Sequence, residues 1–106
     1  EMFVFDALPF AGEPVIVEST RLGDFSPVKN AEGVDSPESC KADQQRLFAQ
    51  WLKNEGVTLA VDGDGVPVCK LEVSPLFGYD SESFSESWKR LGEEVDFSKD
   101  VYLGDC

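Results

Sequence analysis

The run from Ser36 to Gly56 constrains this chain most, because it carries its own start, face and stop. Ser36 can cap a helix, and Pro37 fits the first helical position, where a missing N–H costs nothing. Glu38 suits the positive end of the helix dipole. Cys40, Leu47, Phe48, Trp51 and Leu52 then recur at helical spacing, so one face is apolar and must find a partner surface. Lys53 falls in the last turn, and Gly56 follows as a left-handed stop. The expected helix runs from Ser36 to about Asn54.

Short elements flank it. Val57–Val61 reads as a strand, Asp62-Gly63-Asp64-Gly65 as a turn, and Val66–Val73 as a second strand. Pro67 lies near the start of that second strand, where its missing N–H is tolerable, so the three pieces predict a β-hairpin. Phe84, Trp88 and Leu91, at spacings of four and three, predict a short amphipathic helix within residues 80–92. Val95 through Leu103 is expected to be extended. Val15-Ile16-Val17-Glu18 is β-branched and predicts a further short strand. Residues 19–36 predict an ordered loop with Phe25, Val28 and Val34 as apolar anchors. Residues 1–11 are apolar at most positions, with Asp6 as the internal charge, and such a run is expected to be buried on most sides. The part before Pro9 is expected to be helical in an intact protein. An opening this hydrophobic reads like a cut through a larger protein. Together these elements predict a mixed α/β chain.

Charge and residue types exclude several kinds of chemistry. Nine Lys and Arg against 21 Asp and Glu give a formal net charge of −12. Phosphate backbones and anionic lipid would repel such a chain, so nucleic-acid and membrane-surface binding are not expected. No apolar run approaches the roughly 18 residues that a membrane span needs, and no basic segment ahead of an apolar stretch suggests a signal peptide. With no His in the sequence, His-based triads, general bases and metal sites are ruled out in this chain. Cys40, Cys69 and Cys106 are an odd set with no CxxC, which predicts reduced thiols in a cytoplasmic-type protein. Cys40, on the inner stripe of its helix, is expected to be packed rather than reactive.

Few motifs carry chemistry. Asp62-Gly-Asp-Gly resembles the start of a calcium loop, but Val73 stands at the twelfth position, where such a loop needs a bidentate Glu, so a hairpin turn is expected. Glycine-rich phosphate loops of either common spacing are absent. The many acidic side chains read as a solvated surface. Asp24-Phe25-Ser26-Pro27-Val28-Lys29-Asn30 is different. It sets one Lys between a Pro that fixes the chain and an Asn that favours turns. An ammonium held there suits a phosphate oxygen, although on chemistry alone a plain surface lysine is the favoured reading.

FSPVKNAEG resembles the FSPLKNA-type segment of the eukaryotic UDP-N-acetylglucosamine (UDP-N-acetylhexosamine) pyrophosphorylases, in the UDP-sugar pyrophosphorylase superfamily. FVFDALPFA is similar to that family's FVFD-type segment, the helix from Ser36 through Trp51 to its following helix, and CKLEVSPLFGYDSES to its C-E-I-S-P-L-x-S-Y segment. The resemblance covers about the first 80 residues and is looser beyond. It implies that residues 1–35 are the C-terminal edge of a nucleotidyltransferase catalytic domain. Residues 36–106 would be a small C-terminal α+β domain with a β-hairpin.

The implied full-length enzyme joins UTP and N-acetylglucosamine 1-phosphate into UDP-N-acetylglucosamine and releases pyrophosphate. It uses Mg²⁺ whose ligands lie outside this segment, and it is cytoplasmic. The fragment alone is expected to be inactive without the upstream catalytic domain. By position, Lys29 matches the lysine that contacts the sugar-nucleotide phosphates, with a catalytic role. Phe3 and Phe5 match aromatic residues lining the pocket for the N-acetyl group. Gly23 departs from the acidic residue usual ahead of the loop, and Phe77-Gly78-Tyr79-Asp80 departs from the family's S-Y-A-G-like turn. The alternatives are a UDP-glucose-type pyrophosphorylase fragment, which would have no acetyl group to accommodate, and a free-standing acidic protein-interaction domain.

Overall fold

Asp6 organises the opening segment. Its carboxylate accepts the Phe3 N–H at 2.9 Å and starts a 3₁₀ helix over Val4–Phe10, with Pro9 inside it. This is the expected helix, seen in a computed structural model that describes residues 3–92 and 94–104. The expected burial is not found: Val4, Phe5, Leu8 and Phe10 all face solvent. Nor is there a strand at Val15–Glu18. Val15, Ile16 and Val17 are extended and open to solvent. A strand exists only against a neighbour, and no described residue pairs with this stretch. A single-turn helix, α1 (Arg21–Asp24), follows within the expected loop.

Helix α2 (Pro37–Asn54) has the expected bounds and signals. The Ser36 hydroxyl accepts the Ser39 N–H at 3.2 Å, and the Ser39 hydroxyl accepts the Ser36 N–H at 2.9 Å. At the other end Gly56 takes φ 87°. Its N–H donates to Lys53 O at 3.0 Å, and the Val57 N–H donates to Leu52 O at 2.9 Å, closing the orphan carbonyls of the last turn. Val57 and Leu52 are thereby brought to the same side of the helix end, where both join the core.

The hairpin is smaller than expected. Val61 and Pro67 form one antiparallel bridge. It is flanked by bonds from the Asp62 N–H to Val66 O and the Val68 N–H to Ala60 O. Pro67 therefore sits between ladder bonds, where its missing N–H is not needed. The strand proper, β1 (Leu71–Val73), does not pair with residues 57–61. Gln45 of α2 bonds to its first residue: its side-chain amide donates to Leu71 O, and its carbonyl accepts the Leu71 N–H at 2.8 Å. Both backbone groups of Leu71 are thus satisfied by one side chain of α2. β1 instead pairs in parallel with β2 (Val101–Leu103), in the register Leu71–Val101, Glu72–Tyr102 and Val73–Leu103.

Between the strands lies α3 (Ser81–Leu91), which Asp80 caps and Gly92, at φ 63°, ends. Its Phe84 is fully buried at the centre of an aromatic chain. Ring centroids lie 5.5 Å from Trp51, 5.6 Å from Phe77 and 6.0 Å from Trp88, and Trp88 continues to Phe97 at 6.2 Å. Trp51, Leu52, Leu71, Val73, Phe77 and Leu103 complete the core. The fold is thus mixed helix and strand. Its core is drawn wholly from residues beyond α2's midpoint, and none of residues 3–35 whose exposure is described is buried. The radius of gyration, 17.1 Å, reflects that outlying arm; a chain of this length packed as one body would measure about 13 Å.

Candidate functional site

The segment Phe25–Asn30 is extended and then turns back on itself. One carbonyl makes the turn. Asp35 O accepts the Lys29 N–H at 2.6 Å and the Asn30 N–H at 2.9 Å. Asp35 reaches that position with φ 56°, a left-handed conformation that Asp tolerates better than most residues. The Asn30 side chain closes the loop from within, donating to Val34 O at 2.8 Å. The buried Ser36 hydroxyl donates to Gly33 O at 2.6 Å, joining the loop directly to the start of α2. Polar bonds hold this loop. Phe25, Val28 and Val34, expected as apolar anchors, are exposed, and Phe25 instead carries the Arg21 guanidinium on its ring face at 4.7 Å.

A second tie comes from α2. The Ser26 hydroxyl donates to Asp43 Oδ2 at 2.6 Å, and Asp43 Oδ1 is paired with Arg46 Nη1 at 2.8 Å. Arg46 Nε in turn donates to Asp64 O in the hairpin turn at 2.9 Å. The turn itself is organised by Asp62, whose Oδ1 accepts the Asp64 and Val66 N–H groups at 2.8 and 3.0 Å. This is the hairpin-turn use expected for the Asp-Gly-Asp-Gly run.

Lys29 lies on the outer side of the loop, exposed, and pairs with no carboxylate among the described residues. Phe3 and Phe5 stack on each other with ring centroids 5.1 Å apart and planes 6° from parallel, and both remain more than half exposed. The structure therefore brings the two rings together. Among the described residues, no hydrogen bond or cation–ring contact joins either to Lys29. Cys40 and Cys69 are unbridged and half-buried, and Cys106 lies outside the described residues. No group of three Cys, Asp or Glu side chains among the described residues is placed to hold a metal ion, and no described helix is long and apolar enough to cross a membrane.

Ser26, Asp35, Asp43 and Arg46 went unread as site residues. The Asp43–Arg46 pair was legible as an i, i+3 charge pair on a helix face. The partners that make it matter, Ser26 and Asp64, are distant in sequence.

No family model and no solved structure matches the chain. Curated proteins do. A Dictyostelium discoideum protein named "Probable UDP-N-acetylglucosamine pyrophosphorylase" is 37% identical over 86 residues, which is 78% of this chain and 17% of that protein. The UDP-N-acetylglucosamine diphosphorylase 2 of Arabidopsis thaliana is 38% identical over 87 residues, again 78% of this chain and 17% of the relative. The UDP-N-acetylhexosamine pyrophosphorylase-like protein 1 of Xenopus tropicalis is 30% identical over 103 residues, 84% of this chain and 20% of the relative. The chain thus spans no more than about a fifth of the length of these relatives. The motif resemblance and these matches agree: this chain is homologous to the UDP-N-acetylglucosamine and UDP-N-acetylhexosamine pyrophosphorylases over a segment of their length.

Proposed function

We propose that the chain serves as a segment from the C-terminal part of a nucleotidyltransferase that makes UDP-N-acetylglucosamine. Residues 1–35 belong to the edge of the catalytic domain, and residues 36–106 form a C-terminal domain. In the reaction a phosphate oxygen of N-acetylglucosamine 1-phosphate attacks the α-phosphorus of UTP. The bond to the β-phosphate breaks, and pyrophosphate leaves with its electron pair. Negative charge builds on the phosphoryl oxygens as this happens, and a fixed cation lowers that barrier. Lys29 supplies the cation in this reading. Its backbone is clamped by the Asp35 carbonyl while its side chain stands in solvent, which leaves the ammonium available to a phosphate.

The stacked pair Phe3 and Phe5 offers an apolar face to the acetyl methyl. Mg²⁺ assists the full-length enzyme. Its ligands would lie outside this segment, since the described residues offer no ligand cluster. The protein works in the cytoplasm, and the segment is inactive by itself.

The observation that carries this reading is the identity with the pyrophosphorylases across the segment that includes the FSPVKN loop. Its test is turnover by the full-length protein. Lys29→Ala is expected to lower the rate by roughly 10²-fold, the cost of losing one charge-stabilising donor. An unchanged rate retires the assignment, and equal or better use of glucose 1-phosphate retires the acetyl pocket.

A further inference from the structure

Lys29 is only as well placed as the loop that bears it, and Asp35 fixes that loop from one side alone. Upstream of Lys29 the side chains of Phe25 and Val28 are exposed and do not anchor the chain. The tie there is the bond from the Ser26 hydroxyl to Asp43 at 2.6 Å. Pro27 follows directly, with a restricted φ that carries Ser26's position toward Lys29. Both Asp43 oxygens are used, one for Ser26 and one for Arg46. Arg46 is itself locked to the Asp64 carbonyl, so its rigid guanidinium fork cannot swing away.

We propose that Asp43, held in place by Arg46, is a positioning residue for Lys29: through Ser26 it sets where the lysine loop stands against helix α2. The inference rests on the reading of Lys29 given above and adds the side chains that hold its loop against α2. Misplacing a catalytic group by about an ångström is enough to cost rate without changing which groups are present. Asp43 and Ser26 touch no substrate in this account, so their whole effect passes through Lys29.

The test is a double-mutant cycle in the full-length protein, with UTP and N-acetylglucosamine 1-phosphate as substrates. Asp43→Asn and Ser26→Ala are each expected to lower kcat about tenfold, the equivalent of one hydrogen bond to a charged group. Neither should lower it further once Lys29 is Ala, and Ser26→Thr, which keeps the hydroxyl, should restore most of the rate. Losses that add to that of Lys29→Ala overturn the proposal, because a merely structural role would act with or without the lysine. A Ser26→Ala enzyme with full kcat overturns it as well. Thermal melts accompany each variant, and if Asp43→Asn fails to fold, Ser26→Ala decides. Should Lys29→Ala itself leave the rate intact, the reading of Lys29 falls and this inference with it. Additive losses beside a slow Lys29→Ala enzyme defeat the inference alone.

Discussion

Gly78 offers a sharp test of the core. It sits in the turn that leads from β1 into α3, with its N–H donating to Ser74 O at 3.1 Å. A methyl group added there would lie 2.7, 2.8 and 2.9 Å from Cα, Cβ and N of Phe84. Two of these atoms are helix backbone, which cannot rotate out of the way, so the turn and α3 must separate. Forced overpacking of this kind costs about 1–3 kcal/mol. Separation also loosens the edge-on contact of Phe77 with Phe84, now 5.6 Å between centroids. An aromatic pair of that geometry adds about 0.5–1.5 kcal/mol.

Gly78→Ala should therefore destabilise by about 2–3 kcal/mol in all. At about 4–8 °C per kcal/mol for a domain this small, Tm falls by roughly 10–20 °C. The assay is thermal and urea unfolding followed by near-ultraviolet circular dichroism, which reports the Trp51 and Trp88 environments. Gly63→Ala is the reference, because nothing lies within 4 Å of a Cβ built there. A Gly78→Ala protein that melts with the Gly63→Ala protein would refute the packing argument.

The remaining predictions concern the same body. Phe84→Ala removes the ring at the centre of the aromatic chain and is expected to cost about 3–5 kcal/mol in urea unfolding; a loss under about 1 kcal/mol would mean that the rings do not hold the core. The Asp80 carboxyl is held below the usual carboxylate range by the Ser83 hydroxyl and then by the Ser83 N–H, and Asp96 likewise by Ser98. A lowered folded pKa gives stability that is present above the unfolded value of about 4 and is lost as pH falls through the folded one. Urea midpoints should therefore drop between about pH 5 and pH 2, and Asp80→Asn should flatten part of that drop. An Asp80→Asn protein with undiminished acid sensitivity would remove the cap from the account.

The two longer helices were legible because each carries its signals locally. Ser36, Pro37 and Gly56 bound α2, and α3 was legible from the spacing of Phe84, Trp88 and Leu91; its cap Asp80 and its end at Gly92 come from the structure. The strands were not legible in that way. Val57–Val61 has the composition of a strand, yet β1 pairs with Val101–Leu103, and Lys70, ahead of it, bonds to Asp100 and Val101. Val15–Val17 has the same composition and no paired strand among the described residues. Strand identity depends on partners that sequence order does not name, and the parallel pairing of β1 with β2 joins residues far apart in the chain. Among site residues, Lys29 and its turn-forming Asn30 could be read from the motif. Asp35's left-handed carbonyl and the Ser26–Asp43–Arg46 chain could not, because they depend on which side chains meet across α2.

The β1–β2 pairing also bears on how the molecule forms. The Lys70 N–H meets Asp100 Oδ1 at a separation of 30 positions. Coils of helix assemble within about a microsecond, but a clasp between such remote partners must await a loop closing by chance. Leu71 and Leu103 are both interior in the finished fold. We expect the docking of Val101–Leu103 alongside its partner to be the slow event in folding, checked by whether Leu103→Ala changes the refolding rate. Until then α2 and α3 can exist as helices without a finished interior between them.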